Sequence, residues 1–286
     1  MIKILIAALF FTYGLQVGSS HMFPFELIKG SYQVVKNVFN NSKKYKNFEE
    51  CTLHQLNEIP SESTIIIGHA YGSKSDDYGY LLPKVENFLN KNKDKIDRVI
   101  LTGDVFSMPS LEKWNTLHQQ FIASFQIYVA PGNHDVGTLA SNEIFNMSQF
   151  AFSDSISIDD DPHIIIENST STNMLLNDIT VDLVKNTKQS IVYLFRHDVP
   201  VLELVNVSNN MYATNKLLPN ADQFANQFTN VENFVVVSGD HGIFAFRPRM
   251  TCNKYKNITF ITNGIGDREG DTILVLNNGR ISYFKI

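Results

Sequence analysis

Apolar runs that stop abruptly at glycine and polar groups recur along this chain. Thr64 to Ile67 is β-branched and apolar, and it stops at Gly68-His69-Ala70-Tyr71-Gly72. The run ending at Leu101 stops at Gly103-Asp104, and Gln126 to Ala130 stops at Pro131-Gly132-Asn133-His134-Asp135. Ser190 to Phe195 gives way to Arg196-His197-Asp198-Val199-Pro200, and Phe234 to Ser238 to Gly239-Asp240-His241-Gly242. Short apolar runs bounded in this way predict buried strands that deliver side chains at their C-terminal ends. Open α/β sheets bind ligands at that edge.

Between these runs the period changes. Tyr80 to Ile96 puts Leu81, Leu82, Val85, Phe88 and Leu89 on one side and predicts a helix. Pro109 to Ser124 does the same with Leu111, Trp114, Leu117, Phe121 and Ile122, and Asn177 to Lys188 predicts a polar-faced helix. Strand, helix and neighbouring strand from Thr64 to Asp104 make a right-handed βαβ unit. Towards the C-terminus, Ile243 to Phe246, Ile258 to Thr262, Thr272 to Leu276 and Ile281 to Ile286 predict antiparallel strands. Asn278-Gly279 marks a hairpin turn between the last two. Ala140 to Asn168 has no legible period, and its Asp154, Asp159, Asp160, Asp161 and His163 read as a solvated loop.

The N-terminus is different. Lys3 precedes an apolar run, Ile4 to Phe11, that weakens to Val17 and meets Gly18, Ser19 and Ser20. That is the outline of a signal peptide, or of an anchor whose uncharged stretch reaches Phe25. Export, periplasmic or secreted, or membrane anchoring is therefore expected. The lysines after the run would keep the domain of an uncleaved anchor cytoplasmic. Pro24 to Asn40 has helical periodicity, and Asn41 to Asn47 is a Lys-rich linker. The expected organisation is a leader or anchor over 1–20, a helical and linker segment over 21–60, and a globular domain over 61–286.

At 43% hydrophobic and 19% charged residues, the chain can form a packed core and is not globally disordered. A net charge of −5 argues against a general nucleic-acid binder. Cys51 and Cys252 lack metal-knuckle spacing, leaving either one disulfide or two thiols. Asn-x-Ser/Thr triplets stand at Asn40, Asn146, Asn168, Asn206 and Asn257, and matter only in a eukaryotic secretory pathway.

An Asp and an Asn-His pair at adjacent strand ends supply what a metal site needs: hard oxygens, and an imidazole that ligates or moves a proton. Gly103-Asp104-Val105-Phe106 followed by Gly132-Asn133-His134-Asp135 resembles the calcineurin-like metallophosphoesterases. These are two-metal enzymes with five short signatures on successive strand ends. The resemblance spans about Ile65 to Ile286. It implies an α/β fold of two mixed β-sheets packed as a sandwich, with helices on both outer faces and metals at one edge.

It also implies roles. Asp104 bridges two metals, Asn133 and His197 ligate the second, and His134 stabilises the phosphoryl transition state and protonates the leaving oxygen. Asp135 tunes His134. Two signatures depart from the family's pattern. His69 stands where an Asp is expected and Tyr71 where a His is expected. At the last signature Asp240 or His241, or both, ligate in place of Gly-His-x-His. The loss of a carboxylate at His69 is offset by its gain at Asp240. Tyr71 and Arg196 are candidates for binding a phosphate oxygen. Some members carry an Asp where this chain has Ser107.

The implied activity is hydrolysis of a phosphomonoester or diester by a hydroxide activated by two divalent ions, manganese, iron or zinc. An inactive binding or scaffold domain and a single-metal hydrolase are the alternatives. Expected substrates are phosphorylated small molecules, nucleotides, lipids or glycans, with no nucleic-acid partner and possible membrane association through the N-terminus.

Overall fold

In the computed structural model, residues 48–72, 80–160, 162–205, 218–241 and 248–286 are described. The expected leader, the Pro24–Asn40 helix and the strand Ile243–Phe246 lie outside them. No helix among the described residues is long and apolar enough to cross a membrane.

Strand β3, Ser63–Ile67, shows how the sequence builds two layers at once. All five residues are buried, and successive side chains leave opposite faces. Ile65 and Ile67 enter a core shared with helices α1 (Pro83–Asn92) and α2 (Leu111–Phe121). Ile66 enters a second core, made with residues of another sheet. Strand β4, Ile96–Leu101, repeats the pattern, with Val99 and Leu101 towards the helices and Ile100 inward. In β12, Thr272–Asn277, Ile273 and Val275 face the helices while Leu274 and Leu276 face the second sheet.

The sheet holding β3 has six strands. Its order is β2 (His54–Gln55), β13 (Arg280–Lys285), β12, β3, β4 and β5 (Gln126–Val129). The other has seven: β1 (Glu49–Glu50), β10 (Met250–Tyr255), β11 (Ile258–Asn263), β9 (Asn233–Ser238), β8 (Ile191–Arg196), β7 (His163–Glu167) and β6 (Ser155–Asp160). Tyr193, Phe195 and Val237 face the six-stranded sheet across the shared core. Their neighbours Phe234 and Phe260 point outward to Phe224 and Phe228, at ring separations of 5.0 to 6.1 Å. Phe224 belongs to α6 (Ala221–Asn226). With α5 (Asp178–Asn186) also burying Val184, helices cover both outer faces. The expected two-sheet α/β sandwich is the fold.

Parallel β3–β4–β5 and parallel β7–β8–β9 each send their C-terminal ends to one edge. The 278–279 hairpin is as expected: Asn278 and Gly279 take φ of 48° and 66°, as a tight two-residue hairpin needs.

Several expectations are corrected. The domain starts before Ser61, because β1 and β2 pair with β10 and β13. Ser155–Asp160 and His163–Glu167 pair as antiparallel strands and are not a loop. The alternation Ser155-Ile156-Ser157-Ile158 carried the strand period, but the acidic residues after it obscured the pattern. Leu139–Asn146 is a helix, α4, capped by Thr138. β11 runs parallel to β9 and antiparallel only to β10. A strand's composition does not encode its direction.

Cys51 and Cys252 form a disulfide across 201 residues of chain, beside the hydrogen bond from Cys51 N to Cys252 O. In the chain-entropy account, closing so long a loop contributes about 5 kcal/mol at most. Cys51→Ser/Cys252→Ser is expected to melt on the order of 10 °C below wild type, and reductant to lower wild type alone. Equal melting curves would show that the bridge contributes nothing.

Candidate metal centre

The edges of the two sheets meet where their parallel strands end. Gly68, after β3, lies so near β9's end that a Cβ there would sit 2.5 Å from Gly239 Cα. The backbone then turns sharply. His69 and Asp104 take φ of 55° and 53°, a left-handed conformation that costs non-glycine residues energy. The turn brings His69 Nε2 to 3.0 Å from Asp104 Oδ2. Close approach also demands glycine. A Cβ on Gly132 would lie 2.3 Å from Asp104 Oδ1, and one on Gly103 2.2 Å from His197 Nδ1.

Asp104 is the hub. Its Oδ2 faces His69, while its Oδ1 accepts from His134 N at 3.0 Å and lies 3.6 Å from His197 Nε2. Burial pushes its carboxyl up, but His197 and His69 outweigh that and hold it far below the usual carboxylate range. His197 is fully buried, and its Nδ1 lies 3.1 Å from the Thr102 carbonyl. A carbonyl only accepts, so Nδ1 carries the hydrogen and Nε2 is left for the site. There it meets Asn133 Oδ1 at 3.2 Å as well as Asp104. Burial disfavours charge on His197, yet Asp104, Asp198 and Asp240 push it up to about 9.

His69, Asp104, Asn133, His197 and Asp240 thus turn lone pairs towards one another. Donor atoms of His197, Asp198 and Asp240 all lie within 4.8 Å. His69 Nδ1 is a buried nitrogen with no hydrogen-bond partner among the described residues. Electron-rich atoms converging in this way need a positive charge between them, a proton or a metal. Oxygen and imidazole together suit first-row divalent ions.

The other expected residues sort as follows. Tyr71 is buried against the cluster, its ring 4.9 Å from that of His69 and 5.4 Å from that of His134. Burial first, then Asp104, Asp135 and Asp240, raise its pKa, so it is a neutral phenol. His134 is exposed, and its Nδ1 lies 3.1 Å from the Ser107 carbonyl. Asp240 is in the cluster, with its Oδ1 3.9 Å from His69 Nε2. His241 is fully buried and is not part of the His197–Asp198–Asp240 group.

Two assignments change. Asp135 does not face the His134 ring. It stands in the first turn of α3, Asn133–Val136, so its carboxylate folds back onto backbone N–H groups. It accepts from Gly132 N at 3.0 Å and Val105 N at 3.2 Å, tying the two signature loops together. Burial and Asp104 push it up to about 6. Arg196 is not free to bind phosphate. It is fully buried, paired with Glu167 Oε2 at 2.9 Å, and donates to the Met174 carbonyl at 2.7 Å.

Sequence reasoning missed Asp198, which accepts from Ser169 Oγ at 2.9 Å. Its only signal was adjacency to His197. It also missed the carbonyls of Thr102 and Ser107, because side-chain identity says nothing about where a backbone oxygen points.

The profile of the calcineurin-like phosphoesterases matches residues 53–214. This chain belongs to that family. No curated protein matches it. Among solved structures it is similar to purple acid phosphatase PPD1 from yellow lupin (Lupinus luteus) seeds, at 13% identity and a TM-score of 0.48, over 78% of this chain and 51% of that one. It therefore spans about half the length of the lupin protein. Vps29 of Chaetomium thermophilum is similar at 11% identity and 0.37, over 79% and 96%. Phosphopantetheinyl hydrolase from Mycobacterium tuberculosis is similar at 13% and 0.41, over 73% and 92%.

His69 and Asp240, where this member of the family departs from its pattern, face each other across the cluster. Exchanging them conserves the donors and the charge. His69→Asp alone adds a carboxylate to those of Asp104, Asp198 and Asp240, and Asp240→His alone removes one. Each single variant is expected to lose about tenfold or more in metal affinity, and His69→Asp/Asp240→His to recover most of it. Calorimetric titration with manganese or zinc checks this, and purely additive losses would count against compensation.

Proposed function

We propose that this chain hydrolyses a phosphoester, using divalent cations held by His69, Asp104, Asn133, His197 and Asp240, with Asp198 beside them. The observation that carries this reading is the meeting of lone pairs around Asp104 and His197 Nε2, with His197 Nδ1 already committed to Thr102. Divalent ions bound there would polarise phosphoryl oxygens and make a water nucleophilic at neutral pH.

The chain's own residues supply the rest. Asp104 gives one oxygen to each histidine, which supports two cation positions. His134 stands in solvent with its Nδ1–H held by the Ser107 carbonyl, so in the imidazolium form Nε2 is the nitrogen left to hand a proton to the departing oxygen. Tyr71, kept protonated, donates to a phosphoryl oxygen from between His69 and His134. Asp135 positions this machinery through the backbone. The disulfide supports export, since such bonds persist in oxidising compartments. Substrates would be small phosphoesters of nucleotide, lipid or glycan type.

The test is His134→Ala in manganese-loaded protein. Hydrolysis is expected to fall by about 10²–10⁴ with metal content unchanged. The loss should be larger for an alkyl phosphate than for an aryl phosphate, because the alkoxide needs the proton more. Equal losses would remove the proton-donor role. Metal-loaded wild type inert towards a broad phosphoester panel would overturn the enzyme reading in favour of binding.

A further inference from the structure

We propose that Asn146 is an N-glycosylation site, occupied when the chain enters a eukaryotic secretory pathway. This rests on the export reading and is independent of the hydrolytic one. Folding makes the Asn-x-Ser/Thr triplets unequal. Asn168 is 6% exposed and its Oδ1 accepts from Thr170 N at 3.2 Å, so an oligosaccharide there would have to sit inside the protein. Asn257 spends its amide on two backbone carbonyls, donating to Phe228 O at 2.9 Å and Val231 O at 2.8 Å. An N-linked sugar replaces one amide hydrogen and would break one of those bonds. Asn40 and Asn206 lie outside the described residues.

Asn146 differs in each respect. It is the last residue of α4 and is exposed, and its side chain makes no hydrogen bond among the described residues. The inward face of α4 is Ser141 and Phe145, with Phe145 packed on Trp114 at 5.5 Å. Helical spacing turns Asn146 away from that face, alongside Leu139 seven residues before it and Glu143 three before. The helix stops at Met147, and Ser148 turns inward to donate to the Phe145 carbonyl at 2.7 Å, which leaves Asn146 and Met147 exposed while Ser148 is buried. Leu139 and Met147 are 77% and 69% exposed. An oligosaccharide on Asn146 would cover apolar surface that nothing else in the described chain covers.

The modification joins Asn146 Nδ2 to C1 of a sugar carried on a polyprenyl diphosphate. The C1–O bond breaks, the diphosphate leaves with the electron pair, and the amide proton passes to a base of the transferring enzyme. The test is expression of the full chain, with its own N-terminus, in a eukaryotic secretory host. Peptide mapping after enzymatic glycan release in heavy-oxygen water should show Asn146 converted to labelled Asp, with Asn168 and Asn257 unlabelled. Asn146→Gln should lose one glycan's gel shift and still be secreted as folded protein. An unlabelled Asn146 in secreted protein would overturn the assignment. So would a chain that remains cytosolic with free thiols, which would fail through export. Labelling at Asn168 or Asn257 would overturn the argument from folded-state accessibility.

Discussion

The structure depends on keeping one buried charge satisfied. Asp104 is almost fully buried, and a lone carboxylate there would be too costly to keep ionised. His69, His197 and the backbone N–H of His134 surround it. The surrounding features follow from that need. Gly103 and Gly132 are bare because Cβ atoms would strike His197 and Asp104. His69 and Asp104 take unfavourable backbone angles at the turns that bring their side chains within 3.0 Å of each other. Asp135 fastens the loop after β4 to the loop after β5.

The altered signatures make sense around the same charge. A strand end that loses a carboxylate at His69 faces one that gains it at Asp240. The cluster therefore sets the carboxylates of Asp104, Asp198 and Asp240 near the imidazoles of His69 and His197. Tyr71 fits the same logic. Its phenol adds no charge, and its ring packs between His69 and His134.

Much of this was legible in the sequence because apolar runs ending in glycine report both strands and the edge where they end. That Asp104 and Asn133 meet at one edge was readable for that reason, and His197 joins them from a run that ends in polar residues without glycine. What was not legible depended on direction rather than identity. Asp135 reads as a partner of His134, but its place in the first turn of a helix sends its carboxylate to the backbone. Arg196 reads as a phosphate ligand, but it is fully buried against Glu167. The strands at 155–167 were hidden by the acidic residues in and after β6, and the short strands near Glu49 and His54 are too brief to show a period. Cys51 and Cys252 meet only because β1 pairs with β10, a contact that no local pattern announces.

Elemental analysis of purified protein, wild type beside Asp104→Asn, tests the central claim most directly. Asn keeps the shape of the carboxylate and removes its charge. The account predicts two divalent transition-metal ions per wild-type chain, and their loss from the variant while the fold is retained. Wild type that holds no ion even after loading with manganese or zinc would contradict it, as would a variant that binds as well as wild type.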